Sequence, residues 1–151
     1  MGQSLSQLYV HLTFGTKNRY PYINKECENQ LHAYLAGTLK VYESPAIIIN
    51  SVPDHIHILF RLSKNYALAK IVEEIKKESS KWMKKVVGGN KKFSWQIGYG
   101  AFSVSGSKVE VVRKYIERQK DHHAHKSYRN EIEEFIKHYD MIEYDANYFW
   151  N

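Results

Sequence analysis

Between His55 and Leu62 apolar and polar positions alternate. Ile56, Ile58, Phe60 and Leu62 point one way, and His55, His57, Leu59 and Arg61 point the other. Successive side chains of an extended strand leave opposite faces, so this run predicts a strand with one face in a core and two imidazoles projecting from the other. The alternation recurs over residues 8–14, with Leu8, Val10, Leu12 and Phe14 opposed to Tyr9, His11 and Thr13. Ala46–Val52 is short and β-branched, and Pro53-Asp54 turns it back into the His strand. Asn24 is placed to cap a helix whose inner stripe is Leu31, Tyr34, Leu35, Thr38, Leu39 and Tyr42, stopped by Pro45. A second helix is expected over about 67–87, with Leu68, Ile71, Val72, Ile75, Ser79, Trp82, Met83 and Val86 at helical spacing and Gly88-Gly89-Asn90 as its stop. A fourth strand is expected over 95–104, interrupted by Gly98 and Gly100. Ser107 and Glu110 have capping-box spacing, so a third helix should run from there through Tyr115 and Gln119 to about His123. A last helix covers 130–139, and an aromatic tail follows over 144–150.

The resulting order, β-α-β-β-α-β and then further helices, is the α+β ferredoxin-like (RRM-like) plan. It predicts one domain over 1–151, with the two crossover helices on one face of the sheet and the other face open. His55, His57 and His11 should share that open face.

Bulk properties narrow the setting. The chain has 151 residues, enough for one core without staples. Cys27 is the single cysteine, which rules out an internal disulfide and fits a reducing cytoplasm; it reads most simply as a core residue. No apolar run approaches a membrane span, no signal peptide opens the chain, and no lipid anchor is expected. Lys and Arg outnumber Asp and Glu by 22 to 16, a net charge of +6 that favours polyanionic partners. Twelve Tyr and three Trp could stack on unpaired bases or simply build the core.

Two His at i and i+2 of a strand sit roughly 7 Å apart at their α-carbons and can reach one ion. Asp54 could orient one of them through its second ring nitrogen. Tyr115 and Gln119, four apart, share a helix face. A deprotonated phenol can attack phosphorus and hold the product as a phosphotyrosine, and an amide oxygen can add a third ligand. Two imidazoles, an amide oxygen, phosphate and water suit Mg²⁺ or Mn²⁺. Taken alone, each residue also has a plain reading as a solvated or packing side chain. The lysines on the second helix, Lys76, Lys77 and Lys81 with Lys84 and Lys85, are either a DNA track or a solvated face. His122, His123 and His125 read as a second metal cluster, as phosphate contacts or as a solvated helix end.

Asp54-His55-Ile56-His57-Ile58-Leu59 resembles the His-hydrophobe-His signature of the HUH nucleases. Residues 95–105, followed by Tyr115-Ile116-Glu117-Arg118-Gln119, resemble their single-tyrosine branch, the TnpA-like transposases of minimal insertion sequences. Residues 11–19 and 119–123 are similar to the same family, so the resemblance spans nearly the whole chain. It implies a DNA transposase that cleaves and rejoins single-stranded DNA at element ends. Tyr115 would be the nucleophile, and His55, His57 and Gln119 the ligands of Mg²⁺ or Mn²⁺. It implies hairpin-bearing single-stranded DNA as partner and a homodimer in which the tyrosine helix of one subunit can complete the His pair of the other. Candidate DNA contacts are His11, Lys17, Arg19, Arg61, Lys76, Lys77, Lys81, His122 and His123. A domesticated relative that cleaves genomic repeats, or a non-catalytic RRM-like single-strand binder, are the alternatives.

Overall fold

A computed structural model describes residues 2–139, 141 and 144–150. Its elements are β1 (Leu8–Gly15), α1 (Glu28–Val41), β2 (Ala46–Val52), β3 (His55–Leu62), α2 (Leu68–Met83), β4 (Gly100–Val104), α3 (Val109–Glu117), α4 (Gln119–His122), α5 (Tyr128–His138) and α6 (Ala146–Phe149). The strands form one antiparallel sheet in the order β2-β3-β1-β4. This is the α+β, ferredoxin-like arrangement that the element order predicts.

The alternation in β1 and β3 decides which residues enter the main core. Leu12 faces Ile58 across the ladder, Phe14 faces Ile56 and Val10 faces Phe60. All six are buried against Leu31, Leu35 and Leu39 of α1 and Ile71, Val72 and Ile75 of α2. Each such side chain, fully buried, contributes about 1.5–3 kcal/mol of transfer free energy, so a one-residue slip of register would be prohibitive. Cys27 lies in this core as a buried free thiol. Asn24 does cap the entry to α1, its Oδ1 accepting from the amides of Glu26 and Cys27 at 3.0 and 3.2 Å. Gly88, at φ 84°, turns the chain after α2 in the left-handed region that glycine adopts without strain.

The opposite face is not bare. Leu59, Val104 and Ile116 form a second buried cluster there, with Tyr9, Ile48, Val109, Val112 and Tyr115 packed around it. Val109, Val112 and Ile116 recur at helical spacing, so α3 brings its own apolar stripe to this face. Asn50 of β2 then pins the helix end, its Nδ2 donating to the carbonyls of Ile116 and Glu117 at 2.9 and 3.1 Å. Lys120 of α4 reaches Asn50 Oδ1 (3.0 Å), the Ser51 carbonyl (3.3 Å) and Glu28 Oε1 (3.1 Å).

Three local expectations shift. The strand expected from Trp95 begins at Gly100; Trp95 makes only an isolated bridge to Thr16. Between them, the carbonyls of Gln96, Ile97 and Gly98 are gathered by Lys76 Nζ at 2.6, 3.1 and 3.0 Å. The capping box at Ser107 and Glu110 does not form: α3 starts without a side-chain cap, and Glu110 pairs with Arg113 instead, at 2.7 Å. The helix expected to run on to His123 changes course at Arg118, which separates α3 from α4.

Candidate metal and nucleophile site

His55 and His57 project from β3 on the face opposite α1 and α2, as the alternation requires, and both are fully buried beneath α3–α5. Facing them is Glu131 of α5. Its Oε1 lies 2.9 Å from His57 Nε2, 3.2 Å from His123 Nε2 and 3.5 Å from His55 Nε2. Its Oε2 accepts from the Tyr115 hydroxyl, and from Gln119 Nε2 at 3.2 Å. The one carboxylate therefore joins the imidazole cluster to the phenol. Tyr115 and Gln119 meet the His pair of their own chain.

The outer nitrogens of the imidazoles are held as well. His55 Nδ1 is 2.7 Å from Asp54 Oδ1, the contact expected from their adjacency. His123 Nδ1 donates to the Lys126 carbonyl. His57 Nδ1 is 2.8 Å from His11 Nε2. Tyr128 of α5 stacks on His55 with ring centroids 4.0 Å apart and 15° between planes, its hydroxyl 3.1 Å from Thr13 Oγ1.

Burial sets the charge states here. It opposes ionisation of Glu131, but hydrogen bonds from His123, His55 and His57 outweigh it and hold the carboxyl well below its ordinary range. Burial keeps His57 below the usual imidazole value in spite of Glu131, and pushes His11 down to about 3. On His55 burial is outweighed by Asp54 and Glu131, so its value rises. Glu131 is thus held as an anion. Burial, and then the charge of Glu131, push the Tyr115 phenol above its ordinary value.

His55, His57, His123 and Glu131 each offer one ligand atom, all within 4.8 Å of one another. Gln119 is fully buried, and its Oε1 has no hydrogen-bond partner among the described residues. The three imidazoles and the carboxylate, with the orphaned amide of Gln119 hydrogen-bonded to the same Glu131, are a donor set suited to a divalent cation.

The other candidates scatter. His11 is buried beneath His57. His122 packs on the Tyr115 ring at 4.8 Å. His123 joins the cluster itself. Lys17, Arg19 and Arg61 are exposed, and the Arg19 guanidinium sits 5.5 Å from the Trp150 ring centroid, which Arg129 also approaches. Lys76 is half-buried on three carbonyls, Lys77 pairs with Glu74 at 3.0 Å and Lys81 lies 3.7 Å from Glu78. Glu131 escaped the sequence reading, where it is one polar residue among Glu131, Glu133 and Glu134 of an amphipathic helix.

A family model described as IS200-like transposase matches residues 4–119. This chain belongs to the IS200-like transposase family. Among its relatives is the ISDra2 transposase TnpA of Deinococcus radiodurans, 28% identical over 123 residues, covering 76% of this chain and 86% of that protein. The fold is similar to the crystal structure of a candidate transposase from Deinococcus radiodurans R1, with TM-score 0.59, 21% identity, and coverage of 79% of this chain and 96% of that one. It is also similar to a REP-associated tyrosine transposase solved with a REP hairpin, with TM-score 0.60, 16% identity, and coverage of 82% and 74%. In this IS200-like chain, His55, His57, Tyr115 and Gln119 fall inside the matched segment, whereas His123, Tyr128 and Glu131 lie beyond it. No helix among the described residues is long and apolar enough to cross a membrane.

Proposed function

We propose that this IS200-like transposase cleaves and rejoins single-stranded DNA through Tyr115. The observation that carries this reading is the shared carboxylate: Glu131 touches the Tyr115 hydroxyl with one oxygen and the His55–His57 pair with the other. The phenol oxygen attacks the scissile phosphorus as the bond to the 3′ oxygen breaks. The phenol loses its proton, the departing 3′ oxygen gains one, and the 5′ phosphate stays on Tyr115. A free 3′ hydroxyl then attacks the phosphotyrosine and reverses these changes, so no external energy source is needed. His55, His57 and Gln119 would hold a divalent ion, Mg²⁺ or Mn²⁺. When bound, it polarises the phosphate and spreads the developing charge.

The substrate we infer is single-stranded DNA with hairpin ends, by analogy with the REP-associated neighbour solved on a REP hairpin. The exposed Lys17, Arg19 and Arg61 are the proposed phosphate contacts. We further propose that the site works within one chain, because Asn50 and Lys120 tie the tyrosine helix to the sheet that carries the His pair. A sheet covered by α3–α5 has little surface left for RRM-style base stacking, which disfavours the non-catalytic reading.

The test is incubation of hairpin-bearing single strands with protein and Mn²⁺ or Mg²⁺, read as a protein-DNA adduct on a denaturing gel. Tyr115→Phe should bind the hairpin as before and form no adduct. A surviving adduct would move the nucleophile elsewhere.

A further inference from the structure

The inner nitrogens of the cluster pose a bonding problem. A carbonyl fixes the proton of His123 on Nδ1, and the Asp54 carboxylate does the same for His55. In their neutral forms both rings then present bare Nε2 lone pairs inward. Those two nitrogens are 3.1 Å apart, and both face Glu131 Oε1, itself only an acceptor. His57 joins them by position: its Nε2 is 2.9 Å from the same Oε1, and its Nδ1 is 2.8 Å from His11 Nε2. Three or four acceptors converging on one point repel each other unless they share protons or a metal cation stands between them.

The spacing suits one. Donors bonded to a common ion at about 2.1 Å lie about 3.0–3.4 Å apart in octahedral or tetrahedral geometry. Four of the six pair distances among the donor atoms are 2.9, 3.1, 3.2 and 3.5 Å, and all six lie within 4.8 Å. Each ring also has an oxygen or nitrogen acceptor on its far side, the arrangement that orients ligating imidazoles.

We propose that His123 and Glu131 are metal ligands alongside His55 and His57, so that residues 123–131, beyond the segment matching the family model, close the metal centre. This rests on the reading of His55 and His57 as a metal pair. Glu131 then has two tasks: Oε1 binds the ion, and Oε2 holds the Tyr115 hydroxyl beside it. With Gln119 retained, the centre would offer three imidazoles, one carboxylate and one amide oxygen, a donor set suited to first-row ions such as Mn²⁺.

The test is Mn²⁺ titration of chelator-treated full-length protein, counting free ion by its paramagnetic resonance signal, with no DNA present. Wild type should take up one ion. His57→Ala should abolish binding, while Glu131→Gln and His123→Asn should each weaken it at least about tenfold, with thermal unfolding of each apo variant confirming a folded chain. Should Glu131→Gln fail to fold, His123→Asn, at the rim of the cluster, carries the same test. Binding within twofold of wild type in Glu131→Gln and His123→Asn, with His57→Ala still dead, overturns the proposal and leaves the His pair standing. Undiminished binding in His57→Ala refutes the underlying metal assignment itself.

Discussion

Asn50 offers the sharpest way to separate docking of the tyrosine helix from its chemistry. Its side chain sits opposite His57 in the sheet without hydrogen-bonding to any of the described cluster residues, while its Nδ2 holds the last two carbonyls of α3 and its Oδ1 receives Lys120. Asn50→Ala removes two hydrogen bonds to α3, each with a net worth of about 0.5–1.5 kcal/mol. The freed carbonyls lie near solvent and can rehydrate, which places the loss at the lower end, about 1–2 kcal/mol. The apolar contacts of Val109, Val112 and Ile116 remain, so α3 should still dock. A loss of that size lowers the docking constant about five- to thirtyfold and the unfolding midpoint by about 2–8 °C. Native-state hydrogen exchange by mass spectrometry reads the difference directly. Amides of 109–117 should exchange about five- to thirtyfold faster, while those of β1 and β3 keep their protection. Unchanged exchange in α3, or equal loosening of the whole sheet, would refute the idea that Asn50 is a clamp for this helix.

Two further outcomes follow from the same geometry. Tyr115→Phe and His57→Ala chains, each unable to form an adduct alone, should stay inactive when mixed; an adduct appearing on the His57→Ala chain would show that the site is shared between chains. Lys76→Met should cost about 1–3 kcal/mol in denaturant unfolding, because the ammonium bonds three carbonyls of the 96–98 segment; unaltered stability combined with weaker DNA binding would return Lys76 to a DNA track.

Much of this was legible in the chain because it rests on period. The two-residue alternation of β1 and β3 identified the core face and set His11, His55 and His57 opposite it. The four-residue step from Tyr115 to Gln119 survived the change of course at Arg118, since both still reach Glu131. What was not legible depends on contacts between distant segments. Nothing local distinguishes Glu131 from Glu133 or Glu134; only the docking of α5 turns it inward. The covered sheet face was missed because its lid comes from helices after the βαββαβ core, whose polar outer surfaces look the same whether they float or dock. Ser107 and Glu110 fit a capping pattern, but Arg113 competes for Glu110 and wins. Lys76 read as one cation in a solvated row because the carbonyls it binds come from a segment some twenty residues later.

The proposed chemistry requires the Tyr115 oxygen to become bonded to DNA. A second tyrosine, Tyr128, stacks on His55 and is the natural rival, though it is fully buried with its hydroxyl on Thr13. Trapping the covalent complex with a single-stranded hairpin substrate, digesting it and locating the nucleotide-bearing residue by mass spectrometry decides between them. The modification is expected on Tyr115 alone; a nucleotide on Tyr128, or on any residue outside α3, rules out the proposed chemistry.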